Sequence, residues 1–191
     1  AAVIPVDTTA IDSTIRFNYI ALGDSYTIGT GLSESTGRFP VQLNEQLDAE
    51  ENLEAAPVRI IAQNGWTTAQ LINAIDNADI DTTYKLVSLL IGVNNQFQNR
   101  PIEEYEEQFA ILLLKAIELA ADDAERVFVV SIPDYGVTPF AENLDSETIA
   151  TEIDAFNSVS SNIADDYGVS YLNITDISRD AEDVPGMLAP D

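Results

Sequence analysis

Short runs of aliphatic and β-branched residues alternate along the chain with longer segments in which apolar residues recur every three or four positions. The short runs predict strands over residues 17–22, 58–63, 86–92, 127–132 and 169–174. Four helices fall between them. The first, over 39–48, presents Phe39, Leu43 and Leu47; the second, over 67–78, opens on a Thr cap and aligns Leu71, Ile72 and Ile75. The third, over 101–121, starts at a proline and presents Phe109, Leu112, Leu113, Ala116 and Ile117. The fourth, over 146–167, spaces Ile149, Ile153, Phe156 and Ile163 along one face and stops at Gly168. Five strands separated by four helices imply right-handed crossovers, hence an α/β fold with a parallel sheet. Strands so uniformly apolar fit a sheet covered on both faces. Ligands of such sheets sit beyond the carboxyl ends of the strands, which directs attention to the loops that follow them.

Composition narrows the partners. The chain has 191 residues, 46% of them hydrophobic, and a single domain of this length buries roughly 70% of its unfolded surface. Residues 1–15 carry Pro5, several Thr and Asp, and no sustained period, so they read as a tether ahead of a domain over 16–191. An opening Ala1 is consistent with a removed leader and an exported protein, whether periplasmic, lipid-anchored or secreted. Asp and Glu number 33 against 8 Lys and Arg, a net charge of -25. That excludes nucleic acid as a default partner and disfavours anionic membranes; it suits either a salt-rich habitat or a well-solvated exported protein. No apolar run approaches the roughly 18 residues needed to span a bilayer. Cys and His are both absent. Their absence removes disulfides, thiolate metal sites, Cys nucleophiles and the commonest general base. Asp76, Asp79 and Asp81 cluster without the glycine and terminal Glu of a calcium loop. No metal and no cofactor are expected.

The loops after the first three strands carry candidate chemistry. Gly23-Asp24-Ser25 is followed by Gly29-Thr30-Gly31, which lacks the Lys of a phosphate loop and the third glycine of a dinucleotide fingerprint. Ser25 either projects a reactive hydroxyl from the strand end, where a helical turn's N–H groups favour developing negative charge, or caps a Gly-rich turn. In Asn64-Gly65-Trp66, Gly65 leaves its N–H accessible, and Trp66 either floors a pocket or joins the core. In Gly92-Val93-Asn94-Asn95, Asn94 either donates its side-chain amide to an oxyanion or forms a turn. After the fourth strand, Asp134 and Tyr135 open a loop reaching Phe140 that shapes a pocket or is a plain Pro-fixed turn.

Together these loops resemble the blocks of the SGNH (GDSL) serine hydrolases: Gly23-Asp24-Ser25, then Gly65, then Gly92-Val93-Asn94. The resemblance runs from about Phe17 to the last residue and looks closest to the bacterial lysophospholipase-like branch. Asn95 stands where the family's third block usually has Asp. The resemblance implies a three-layer α/β/α sandwich with a flavodoxin-like five-stranded sheet in the order 2-1-3-4-5. It further implies Ser25 as nucleophile, an oxyanion hole from the Ser25 and Gly65 N–H groups and the Asn94 amide, and Trp66, Asn95, Asp134 and Tyr135 as pocket candidates. The substrate class is a small acyl ester, such as an acetylated sugar, a lysophospholipid or a short-chain ester.

The family's last block is Asp-x-x-His. Asp191 falls at its Asp, and the His would stand three positions further on, ahead of a closing helix. Three readings follow: an active hydrolase whose chain continues, a pseudo-enzyme that only binds, or a carboxylate such as Asp134 acting as base. An ionised carboxylate matches a Ser proton poorly. The expectation is an esterase impaired in these 191 residues, with a flavodoxin-like module binding an acylated or nucleotide ligand as the rival.

Overall fold

The computed structural model describes residues 14–181 and Val184; residues 1–13 and Asp191 lie outside them. Five parallel strands form the central sheet: β2 (Tyr19–Gly23), β4 (Arg59–Ala62), β5 (Leu86–Leu90), β6 (Val127–Val130) and β7 (Ser170–Leu172). Their spatial order is β4-β2-β5-β6-β7. Counted along this sheet alone, that is 2-1-3-4-5, as expected.

The segment expected as one strand over 17–22 is two. β1 (Ile15–Phe17) pairs in parallel with β3 (Leu53–Ala55), apart from the main sheet. Asn18 makes the break. Its carbonyl oxygen accepts from the Lys85 N–H at 3.0 Å, and its amide donates to the Thr83 carbonyl at 2.8 Å. These bonds draw the chain across to β5, so β2 begins beside Leu86. Ile15, the last residue of the expected tether, already stands opposite Leu53.

Helices α2 (Phe39–Asp48), α3 (Thr68–Asp76), α5 (Ile102–Leu119) and α6 (Ser146–Asp166) lie within two residues of their predicted bounds at each end. Two short helices at strand ends, α1 (Ser25–Ile28) and α4 (Val93–Phe97), were not separately legible, nor was α7 (Thr175–Asp180). Helices α3, α5 and α6 pack in a row on one sheet face. Ile20 and Leu22 align there with Val87, Leu89, Val127 and Val129, above Leu71, Phe109, Leu113 and Ile153. On the opposite face Tyr19 donates to or accepts from Ser88 at 2.6 Å, and both are fully buried. Burial on both faces explains the uniformly apolar strands. The α2 stripe is shallower: Phe39, Leu43 and Leu47 are half-buried, because α2 packs on β3 beside the main sheet.

Two charged groups shape the architecture. Asp134 follows β6 and is buried, its Oδ2 accepting from Arg179 Nε at 2.9 Å and its Oδ1 from the Gly136 N–H at 2.8 Å. Arg179 lies on α7 and also donates to Asp154 of α6 at 2.8 Å, so one guanidinium joins three elements. Asp24 lies between β2 and α1, fully buried, with Oδ1 accepting from the Tyr26 N–H at 3.0 Å. Burial pushes its carboxyl from 3.8 up to about 7, against the lowering effect of backbone N–H bonds.

Replacing Arg179 by Met leaves Asp134 buried without its partner, which is expected to lower unfolding free energy by about 2 kcal/mol, discounted from the fully buried case for the part-exposed arginine. Adding Asp134→Asn should return part of that loss in a double-mutant cycle by urea unfolding; additive losses would contradict the coupling. Asp24 predicts a pH effect. Between 3.8 and about 7 the folded chain holds a proton that the unfolded chain releases, so this group's contribution weakens as pH rises through that window. Asp24→Asn should therefore gain stability relative to the parent on the order of 1 kcal/mol per pH unit across the window, and level off above it. A pH-independent difference in thermal unfolding would contradict this.

Candidate active site

Gly23, the last residue of β2, stands opposite Ala62 of β4 and Leu90 of β5. Three adjacent parallel strands therefore end level, and their loops open side by side. A Cβ on Gly23 would collide with Thr27 Oγ1 and with the Leu90 carbonyl oxygen. Only glycine lets the chain turn this sharply from β2 into α1. Asp24 caps the turn, and Thr30 donates its N–H to the Ser25 carbonyl at 3.0 Å. Ser25 is thus the first residue of a tightly held turn, half-buried at the sheet's carboxyl edge.

After β4, Gly65 adopts a left-handed φ of +81°, and a side chain there would enter open space. The Trp66 N–H donates to the Gln63 carbonyl at 3.3 Å, which closes this turn. After β5, Asn94 sits in α4, and its amide Nδ2 donates to the Trp66 carbonyl at 2.9 Å. That bond ties the second loop to the third. It uses one of the two amide hydrogens of Asn94 and leaves one for another acceptor.

A cavity of about 410 Å³ lies over these strand ends. Ser25, Tyr26, Thr30, Asn64 and Asn94 line it, together with Val93, Phe97, Tyr135, Thr138 and Phe140. Of the residues singled out in the sequence, Ser25, Asn94 and Tyr135 meet at this cavity, and Gly65 adjoins it through Asn64. Trp66, Asn95 and Asp134 do not line it. Trp66 packs against the apolar core. Asn95 is fully buried: its Oδ1 accepts from the Thr68 N–H at 3.0 Å, and its Nδ2 donates to Thr68 Oγ1 at 2.7 Å. Thr68 in turn donates to Gln108 of α5, so Asn95 joins α4, α3 and α5. Asp134 is held by Arg179 behind the loop, which removes it as a free base. Asp191 lies outside the described residues.

Among the described lining residues the ionisable groups are Tyr26 and Tyr135, and burial raises the Tyr135 hydroxyl above its ordinary 10.0. Among the described residues no group of three or more acidic side chains could hold a metal ion, and no helix is long and apolar enough to cross a membrane. The cavity's chemistry is that of a hydroxyl, amide donors and an apolar wall. The sequence had not marked Phe97. Its signal was its place three residues after Asn94, one helical turn along, with no predicted helix to bury it.

The GDSL-like lipase/acylhydrolase family matches residues 21–191. Curated protein sequences give no match. Among solved structures the chain is similar to TesA, at 19% identity and a TM-score of 0.67, over 90% of this chain and 84% of that one. It is similar also to AlinE4, an SGNH-hydrolase family esterase, at 18% identity and a TM-score of 0.65, over 93% and 85%. A lipolytic protein of the G-D-S-L family from Veillonella parvula is 18% identical, with a TM-score of 0.63 over 93% and 90%. These likenesses concern the fold, and the family match extends from β2 through all three loops at the cavity. The chain belongs to the GDSL-like lipase/acylhydrolase family and carries the fold of its ester hydrolases.

Proposed function

We propose that the chain is a serine ester hydrolase for small acyl esters, with Ser25 as nucleophile. The observation that carries this is the level ending of three strands at Gly23, Ala62 and Leu90, which gathers a hydroxyl, a glycine turn and an amide around one cavity. Ser25 Oγ attacks the ester carbonyl carbon, and the C=O electron pair moves onto oxygen. The N–H groups of Ser25 and Gly65 and the free amide hydrogen of Asn94 receive that charge. Collapse of the intermediate expels the alcohol, which takes up a proton, and leaves an acyl-serine. Water then attacks the same carbon, releases the acid and restores the hydroxyl.

Proton removal from Ser25 needs a base, and the sequence contains no His. On this reading Asp191 is the Asp of the family's Asp-x-x-His block, whose imidazole takes the serine proton. The competing reading is a module that binds an acyl ester without turning it over; it is favoured by a lining that, among the described residues, holds neither carboxylate nor imidazole. The acidic chain suits uncharged substrates, and nucleic acid has no place in either reading.

A chain extended past Asp191 to carry that His is expected to hydrolyse a chromogenic short-chain ester about 10²–10⁴-fold faster than the 191-residue chain. Equal rates would favour the binding module. Ser25→Ala should abolish fluorophosphonate labelling of the extended chain, while labelling that persists would remove Ser25 as nucleophile. In the same background Asn94→Ala should lower kcat about 10²–10³-fold with a smaller change in KM. Part of that loss comes from freeing the Trp66 carbonyl, so a thermal unfolding curve close to that of the parent is the accompanying control.

A further inference from the structure

Where the end of α4 and the start of α5 meet α6, a second cavity of about 310 Å³ opens, sharing no lining residue with the one at the strand ends. Local sequence builds its rim. The Asn99 N–H donates to the Gln96 carbonyl and the Arg100 N–H to the Asn95 carbonyl, both at 2.8 Å. Asn99 takes a left-handed φ of +53°, so α4 stops in a Schellman turn that leaves Arg100 at the cavity before Pro101 opens α5. Glu152 of α6 lines the same cavity. Among the described residues Arg100 pairs with Glu104, at 3.9 Å, and not with Glu152, so a cation and an anion share one cavity without neutralising each other. Glu152 Oε2 accepts from Gln96 Nε2 at 2.7 Å, which orients the carboxylate and leaves its Oε1 for another donor. Gln96 is only 6% exposed, and its Oε1 is buried with no hydrogen-bond partner among the described residues. Tyr135 also interacts with the Gln96 side chain without satisfying that oxygen. A buried acceptor left without a donor is costly, and it marks a place where a partner belongs.

We propose that this cavity binds a free α-amino acid with an apolar side chain, its ammonium group donating to Glu152 and Gln96 and its carboxylate held by Arg100. An ammonium group brings three N–H donors, which suit the free Glu152 oxygen and the orphaned Gln96 oxygen. The guanidinium fork matches a carboxylate, and its present pair with Glu104 is long and exposed, so exchanging it costs little. Ile102, Ala155 and Phe156 complete the lining and give an aliphatic side chain apolar contact. Charge decides between the neighbouring ligand classes. A simple amine would set a second cation beside Arg100, and a simple acid would bring an anion to Glu152 in a chain of net charge -25. A zwitterion uses both groups and adds no net charge. Pockets for small molecules run to roughly 300–1,000 Å³, so this cavity stands at the small end, with room for one amino acid and not for a long peptide. The proposal does not depend on the ester reading, because the two cavities have separate linings.

The test reads binding and needs no turnover. Leucine is titrated calorimetrically into the 191-residue chain at neutral pH. Two probes accompany it: 3-methylbutylamine, which is leucine without its carboxylate, and 4-methylpentanoate, which is leucine without its ammonium group. Leucine is expected to bind about tenfold or more tightly than either, the loss that one charge-assisted contact carries. Arg100→Gln and Glu152→Gln should each weaken leucine binding about tenfold. The first should narrow the advantage of leucine over the amine, and the second its advantage over the acid. Both side chains are at least partly exposed, so unfolding temperatures near the parent's are expected, and the comparison of ligands in the parent stands without either variant. Absence of leucine binding, an amine or acid that binds as tightly as leucine, or leucine binding unchanged in either folded variant would overturn the proposal.

Discussion

Between β2 and β5 there is no room for a side chain on Gly23, because Thr27 Oγ1 and the Leu90 carbonyl oxygen occupy the place a Cβ would take. The turn into α1 closes against the neighbouring strand, and Ser25 is delivered to the level at which β4 and β5 also end. The same constraint buries Asp24, whose backbone must follow Gly23 into the sheet edge while its Oδ1 caps the turn. A carboxyl held partly protonated near neutrality is thus a by-product of the geometry that places the serine.

The polar groups around the cavity divide between structural duty and availability. Asn95, Thr68 and Gln108 satisfy one another and bind three helices together, leaving nothing for a ligand. Asp134 is consumed by Arg179 and the Gly136 N–H. Ser25 and Asn94, by contrast, face the cavity with donors to spare. Among the described residues that line the cavity none is acidic or basic, although the chain holds 33 acidic residues. The surface charge acts on solubility and long-range encounter.

Much of the fold was legible because local periodicity and burial agree. Helix α6 shows Ile149, Ile153 and Phe156 at three- and four-residue steps, and these are the residues that meet the sheet. Strand order followed from family resemblance more than from pattern, since five apolar runs are compatible with several orders. The break at Asn18 was not legible. It depends on bonds to Thr83 and Lys85, more than sixty positions away.

For the site, the chain's own order of residues determined that a serine, a glycine and an asparagine would each follow a strand, because a strand's end is a local event. Which neighbouring polar residues stay free was decided only by tertiary contacts. Asn94 and Asn95 are adjacent and chemically identical, yet one lines the cavity and the other is fully buried, because successive residues of α4 point about 100° apart. Asp134 looked available until Arg179, 45 positions later, was brought against it. Phe97 and Phe140 came to lie with ring centroids 5.9 Å apart only when the segments after β5 and β6 met. Local sequence can specify a residue's own conformation, but its availability depends on what the rest of the chain brings within hydrogen-bonding distance.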